Sequence, residues 1–383
     1  MDKPELHLHL LLDKLSQSSV SFALYRLPWT DEPILVLQKD GEVEKIDSLH
    51  GLNGKKGFLF APFQPNTTHP VLLIRPDVYI LGWNDMMQQL SELYADDNRL
   101  QETNCSSSAE TSISNGGDEA ETTENKLRKQ YNEAFQSFID PLKDGTFEKL
   151  VLSRSATYPL TQDFSPTEAF VTACNSYPRM MISLCHTPES GIWIGSTPEI
   201  ILSGQQPTWQ TVALAGTMQI EDENIPTEWS PKNQKEQLIV SEYIVKVLKS
   251  FKSKVEQNGP YTARAGNLVH LKTDFHFSLK RADHLGDLLE ALHPTPAVCG
   301  LPKEAAYEFI LSHEGYDRSY YSGIIGWLDP DSITNLYVNL RCMHITDGQT
   351  TLYAGGGILP SSTAESEWEE TQFKMNTMRK CLC

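Results

Sequence analysis

Short apolar runs separated by proline constrain this chain more than any other feature of its sequence. Between residues 20 and 90 the runs Val20–Leu27, Ile34–Leu37, Gly57–Phe63, Val71–Ile74 and Val78–Leu81 are punctuated by Pro28, Pro33, Pro65, Pro70 and Pro76. Runs this brief, bounded by turn formers, read as β-strands, with a short helix over Met86–Tyr94. The pattern resumes with Lys149–Ser155, Met180–Cys185, Ile192–Ile194, Ile200–Leu202, Thr211–Ala215 and Leu268–Thr273, then Gly323–Leu328, Leu336–Ile345 and Thr351–Ile358. Helices interleave. An apolar stripe of Leu127, Tyr131, Phe135 and Phe138 predicts one over Asn125–Ile139. SPTE at 165–168 is a capping box, and Ser230–Pro231 opens a long helix in the same way, through Lys252. Pro302–His313 is closed by Gly315, and SSTAE at 361–365 opens the last helix, to about Arg379. Strands outnumber helices and no repeat stands out, so the class is α+β with large mixed or antiparallel sheets.

One segment cannot join that core. Residues 96–124 have almost no apolar content, and Glu92–Glu124 holds nine acids against one base, a local net of −8. It reads as a linker or long surface loop between residues 1–95 and 125–383. The whole chain carries 32 Lys+Arg and 50 Asp+Glu, a formal charge of −18. An excess of that sign argues against nucleic acid and against anionic membrane surfaces as partners. Seven widely spaced cysteines, with no CxxC pair, suit neither a disulfide framework nor a zinc site, and point to a reducing cytoplasm. The opening MDKPELHLHLLLDKL reads as an amphipathic helix, its apolar run broken by His, Asp and Lys. No window approaches the ~20 apolar residues that span a bilayer.

Several polar residues stand where chemistry is conceivable, each with an ordinary alternative. On the last helix Glu367, Glu370 and Lys374 fall within about 60° of one face. Beside the Gly-rich AGGGI at 354–358 they could hold a hard cation such as Mg²⁺, or simply form a solvated face with a Glu370–Lys374 pair. Glu236 lies in a helix whose Leu238, Ile239, Val245 and Leu248 should pack, and alone it reads as a surface residue. Lys149 opens an alternating strand, as a desolvated base or as a strand-end cation. Glu199 sits at a Pro turn entering a strand, and His270 alternates with apolar neighbours as a core histidine would. Arg341 lies within an apolar run, so its burial demands an anion, either a bound carboxylate or a structural ion pair. No P-loop, GxGxxG turn or ordered Asp–His–Ser motif is present.

Taken in order, these pieces form a pattern. KLVLSR (149–154), IGSTPEIIL (194–202), LAGT (214–217), KNQKEQLIV (232–240), LVHL (268–271), LHPTPAVCGLPKEAA (292–306), YDRSYYSGIIGW (316–327), NLRCM (339–343) and YAGGGI followed by ESEWEETQFK (353–374) resemble the chorismate-utilising enzymes. HPTPAVCG is most similar to the isochorismate synthases. The resemblance covers about residues 125–383 and is looser over 1–95, which in the family completes the same sandwich. It implies a single domain with two large, mainly antiparallel sheets flanked by helices.

It also implies an activity: Mg²⁺-dependent conversion of chorismate to isochorismate, an isomerisation in which water adds at C2 while the C4 hydroxyl leaves. By this matching Lys149 is the base and Glu199 the acid. Glu236 and Glu370 hold Mg²⁺, with Glu367 beside them. Arg341, Tyr321 and the backbone near Gly357 take a substrate carboxylate, and Gly216, Thr217, His270, Ala297 and Lys374 line the pocket. Two departures are visible: Asn233 replaces an acid common among relatives, and Gln234–Lys235 relax the phrase before the metal glutamate. Ala297 separates the chain from salicylate synthases, which resemble a pattern with Thr there. The phrase Thr295–Pro296–Ala297 separates it from the ammonia-using relatives that need a glutaminase partner. A non-catalytic binding protein would lack one of Lys149, Glu199, Glu236 or Glu370, and all four are present. The expectation is a monomeric cytoplasmic enzyme serving menaquinone synthesis.

Overall fold

The computed structural model describes residues 6–96, 117–220, 225–226, 228–346 and 348–382. Among them the strands form two nine-stranded sheets in which every pairing is antiparallel. The first runs in the order β14 (Gly300–Leu301), β7 (Lys149–Pro159), β18 (Gln349–Ile358), β17 (Cys342–Thr346), β9 (Gly191–Thr197), β8 (Met181–Thr187), β1 (Ser21–Arg26), β2 (Ile34–Gln38), β6 (Val78–Leu81). The second runs β12 (Val255–Ala265), β13 (Leu268–Phe277), β11 (Thr208–Gln219), β10 (Ile200–Gln205), β16 (Thr334–Val338), β15 (Ile324–Leu328), β4 (Gly57–Ala61), β5 (Val71–Ile74), β3 (Glu44–Ile46). N-terminal strands therefore enter both sheets: β1 pairs with β8, and β4 with β15. The α+β class and the antiparallel sheets read from the strand pattern are what the structure has.

Burial explains the layering. Strands such as β1, β4 and β8 are buried along their whole length, because one face meets the opposite sheet and the other meets helices. Between the sheets lie Tyr25, Phe58, Phe60, Trp193, Tyr320, Tyr337 and Tyr353. Outside the first sheet pack α1 (Leu6–Ser16), α2 (Trp83–Asp96), α4 (Pro166–Ser176) and α8 (Ala364–Arg379); outside the second pack α5 (Pro231–Ser250) and α6 (Leu285–Leu292). A fourth cluster joins α3 (Gly117–Lys143) and α7 (Lys303–His313) to β7. The anticipated caps are in place: Ser165 accepts from Glu168 N, Ser230 from Asn233 N, and Thr363 from Ser366 N.

Three expectations need correction. Leu336–Ile345 is not one strand. It divides into β16 and β17, which belong to different sheets, and the chain crosses between them at Arg341, whose φ is 45°. Apolar residues continue through the crossing because both sheets bury it, so alternation alone hides the break. Second, helix α3 begins at Gly117, ahead of the predicted Asn125, so residues 117–124 are helical rather than linker; 97–116 lie outside the described residues. Once nucleated by its packed portion, a helix extends through polar residues at little cost, and acids near its N-terminus favour this. Third, β3, β12, β14 and α6 were not anticipated. Most of β12 is exposed, so it carries no apolar signature.

Phe60 stacks on Tyr320 with centroids 4.2 Å apart and meets Trp193 edge-on at 6.0 Å, tying the two sheets together. Phe60→Ala is expected to lower unfolding free energy by about 3–5 kcal/mol, read as an earlier denaturant midpoint.

Candidate active site

A partly open cavity lies beside the Arg341 crossing. Glu199, Gly216, Thr217, Glu236, His270, Ala297, Tyr321, Arg341, Gly357 and Lys374 all line it. Residues separated by up to 175 positions in sequence are thus brought together. Lys149, Glu367 and Glu370 are not in its lining; they stand immediately behind Gly356 and Gly357.

That placement accounts for the triple glycine of β18. A Cβ on Gly357 would run into the Glu236 carboxylate and would come within 2.9 Å of Lys149 Cε. One on Gly356 would stand 3.0 Å from Glu367 Oε2, and one on Gly355 would stand 3.0 Å from the Tyr321 hydroxyl. The strand gives up side chains so that charged groups from β7, α5 and α8 can close upon it. Each carboxylate there has its own lysine. Lys149 Nζ lies 3.0 Å from Glu236 Oε1, Lys232 Nζ 2.5 Å from Glu367 Oε1, and Lys374 Nζ 2.7 Å from Glu370 Oε1. Lys374 also donates to Gly355 O at 2.8 Å. The Lys149–Glu236 contact is an ion pair without hydrogen-bond alignment.

The carboxylates differ in protonation. Burial drives the Glu199 carboxyl up to about 7, against the pull of Lys149, Lys374 and Arg341. Glu367 is likewise raised to about 7, by burial and by its neighbour Glu370, with Lys232 opposing. Burial would raise Glu370 too, but Lys374 and Lys232 outweigh it and hold that carboxyl below the ordinary range.

Glu199 is fixed by its turn. Its carbonyl accepts from Val338 N at 2.9 Å, and Thr197 Oγ1 accepts from Glu199 N at 3.3 Å. On the opposite strands, Gly216 sits at a bulge in β11 with φ 73°, and a Cβ there would press on Asn233 at 3.0 Å. The bulge frees Gly216 O, which lies 3.0 Å from His270 Nδ1, while His270 Nε2 lies 2.6 Å from Arg341 Nη2. A carbonyl only accepts and a guanidinium only donates, so the imidazole is neutral and carries its proton on Nδ1. Burial, reinforced by Arg341 and Lys374, keeps His270 well below the usual imidazole range and so agrees. Arg341 itself is 5% exposed and also donates to Ala265 O at 2.9 Å. Burial brings its pKa down to about 10. Among the described residues it forms no ion pair with a carboxylate, so of the two anions its burial could imply, the structural partner is absent.

Sequence reasoning missed Lys232, although it lies four residues before Glu236 and therefore on the same helical face. It also missed the buried Glu314–Arg318 pair. Arg318 donates to Val298 O and Val151 O, two carbonyls of the cavity wall, and Glu314 accepts from Ser153 N.

Fold and cavity together define a two-sheet sandwich with a cleft lined by a buried carboxyl, an arginine and a lysine. A family model for chorismate binding enzymes matches residues 71–383, and the chain belongs to that family. The salicylate biosynthesis isochorismate synthase of Pseudomonas aeruginosa is 31% identical over 263 residues, 67% of this chain and 55% of that protein. Isochorismate synthase MenF of Escherichia coli is 30% identical over 252 residues, 63% of this chain and 57% of that one. The chain thus spans little more than half the length of these relatives. Among solved structures, the menaquinone-specific isochorismate synthase of Escherichia coli superposes with a TM-score of 0.75 at 22% identity, covering 97% of this chain and 91% of that one. Anthranilate synthase component I of Streptococcus pneumoniae gives 0.66 at 19% identity, covering 94% and 92%. At these identities the likeness is one of fold. No helix of the described residues is long and apolar enough to cross a membrane.

Removing one member of the buried Lys149–Glu236 pair leaves the other uncompensated. Lys149→Met is expected to cost about 3–5 kcal/mol of stability, and adding Glu236→Gln should recover at least half of it, measured as a double-mutant cycle in urea.

Proposed function

We propose that this protein converts chorismate to isochorismate, adding water at C2 as the C4 hydroxyl departs. One observation carries the reading: a buried carboxyl that stays protonated near neutral pH, Glu199, lines the same cavity as a buried arginine lacking a carboxylate partner, Arg341. The leaving hydroxyl needs a proton, and Glu199 is the group able to give one at pH 7. Arg341, held by His270 and Ala265 O, would take one carboxylate of the substrate, with Tyr321 alongside. Lys149 would accept the proton of the attacking water as a neutral amine, its ammonium proton having been released before the water attacks. Gly216, Thr217, Ala297 and Lys374 would shape the walls.

The donor set also suits Mg²⁺. Glu236 and Glu370 would hold the ion, with Glu367 beside them. In this cradle the space beside Gly356 is bordered by Glu367 Oε2 and Glu370 Oε1, that beside Gly357 by Glu236 Oε1, and Glu367 Oε2 is buried without a hydrogen-bond partner. When bound, the cation would offset the charge of the other substrate carboxylate. We further propose that the protein works as a single chain without a glutaminase subunit, in the cytoplasm. Its product would enter menaquinone synthesis.

The deciding assay incubates pure protein with chorismate and Mg²⁺, without ammonia, and separates the products. A reversible plateau of isochorismate is expected. Salicylate with pyruvate would make it a salicylate synthase, and no turnover would make it a binding protein. Because Glu199 must hold its proton to act, turnover should fall as pH rises through about 7. Glu199→Gln should reduce turnover by about 10²–10⁴-fold and abolish that limb of the profile. A limb that persists in the variant would exclude Glu199 as the acid.

A further inference from the structure

The third lysine of the cradle, Lys232, has no part in the chemistry above. It lies one turn ahead of Glu236 on α5 and donates to Glu367 Oε1 at 2.5 Å. Glu236 and Glu370 add longer-range attraction to that of Glu367. The other two lysines are committed elsewhere: Lys149 is fully enclosed in β7, and Lys374 is also bonded to Gly355 O. Lys232 has a side chain 23% exposed, within reach of solvent, and among the described residues its only hydrogen bond is the one to Glu367.

Charge and geometry then agree. Three glutamates are matched one for one by three lysines. Among the described residues, no three acidic, His or Cys side chains are grouped as a metal site, and each of the three carboxylates is paired with a lysine. Glu367 Oε2 remains buried and unpartnered beside Gly356. We infer that Lys232 is the resident counter-ion of the metal-free cradle, and that a divalent cation binds there only by displacing its ammonium from Glu367. The inference rests on the Mg²⁺ reading above. Lys232 is a gate on ion binding, and its solvent-accessible stem lets it swing out without disturbing the buried core.

The direction of the effect is what makes this testable. An ordinary structural lysine, once removed, would loosen the site and weaken ion binding. A competing cation, once removed, should strengthen it. Mn²⁺ is titrated into the metal-free full chain at pH 8 without chorismate and followed by electron paramagnetic resonance, for the parent, Lys232→Met, Lys232→Gln and Lys232→Arg. A Glu236→Gln/Glu370→Gln variant serves as control. The expected result is Mn²⁺ dissociation constants at least tenfold lower for Met and Gln, and within threefold of the parent for Arg. Lys232→Gln keeps a hydrogen-bond donor for Glu367, so it reports if Lys232→Met does not fold. Parent binding that is lost in the control, combined with Met and Gln variants that bind equally or more weakly, would overturn the role of Lys232 and leave the metal site standing. Parent binding that is absent, or unchanged in the control, would remove the metal site and this inference with it.

Discussion

The structure depends on the closure of paired charges over a strand that has no side chains. Ion pairs withdrawn from water are stable only when every charge is matched, since an unpaired buried ion costs several kcal/mol. Glu236, Glu367 and Glu370 meet that condition through Lys149, Lys232 and Lys374. The pairs reach Gly355–Gly357 from three directions: β7 within the same sheet, α8 above it, and α5 from the far sheet. An alanine at 357 would run into Glu236 and crowd Lys149, and one at 356 would press on Glu367.

The second dependency is the crossing at Arg341. A residue with φ 45° in an otherwise apolar run is strained, and such a conformation persists only where its surroundings determine it. Those surroundings are a chain of contacts. Asn233 packs against the left-handed Gly216, the bulge turns Gly216 O toward His270, and the resulting tautomer offers Nε2 to Arg341. Backbone geometry in β11 therefore decides where a guanidinium points from a loop in the other half of the sandwich. Asn233, a departure from the acid common among relatives, has its place in that chain as a packing residue and as a weak donor to Thr217 O at 3.5 Å.

Local periodicity was enough to recover most strands and the three helix caps, because those signals lie within a few residues of one another. It failed where the third dimension decides. The run through Leu336–Ile345 alternates like a strand, and nothing local says that its two halves belong to different sheets. Strand β12 is mostly exposed and so lacks the apolar run that marks the others. For the site, family resemblance named thirteen residues, and ten of them line one cavity. Spacing alone left each of them ambiguous. Glu236 read as a surface residue but is 7% exposed, and the role of His270 depends on partners 54 and 71 residues away. Lys232 was legible in principle, since the helical spacing that grouped Glu367, Glu370 and Lys374 also places it with Glu236.

The formal charge of −18 fits a site for anions once its distribution is considered. Eight negative units fall within residues 92–124. At the cradle each of the three glutamates faces a lysine, and the cavity adds Arg341 beside Glu199, whose carboxyl burial raises to about 7. Fields from surface acids are screened over roughly 10 Å of salt solution, whereas the buried groups act through protein. An anion entering the cavity therefore meets a positive lining within an acidic protein.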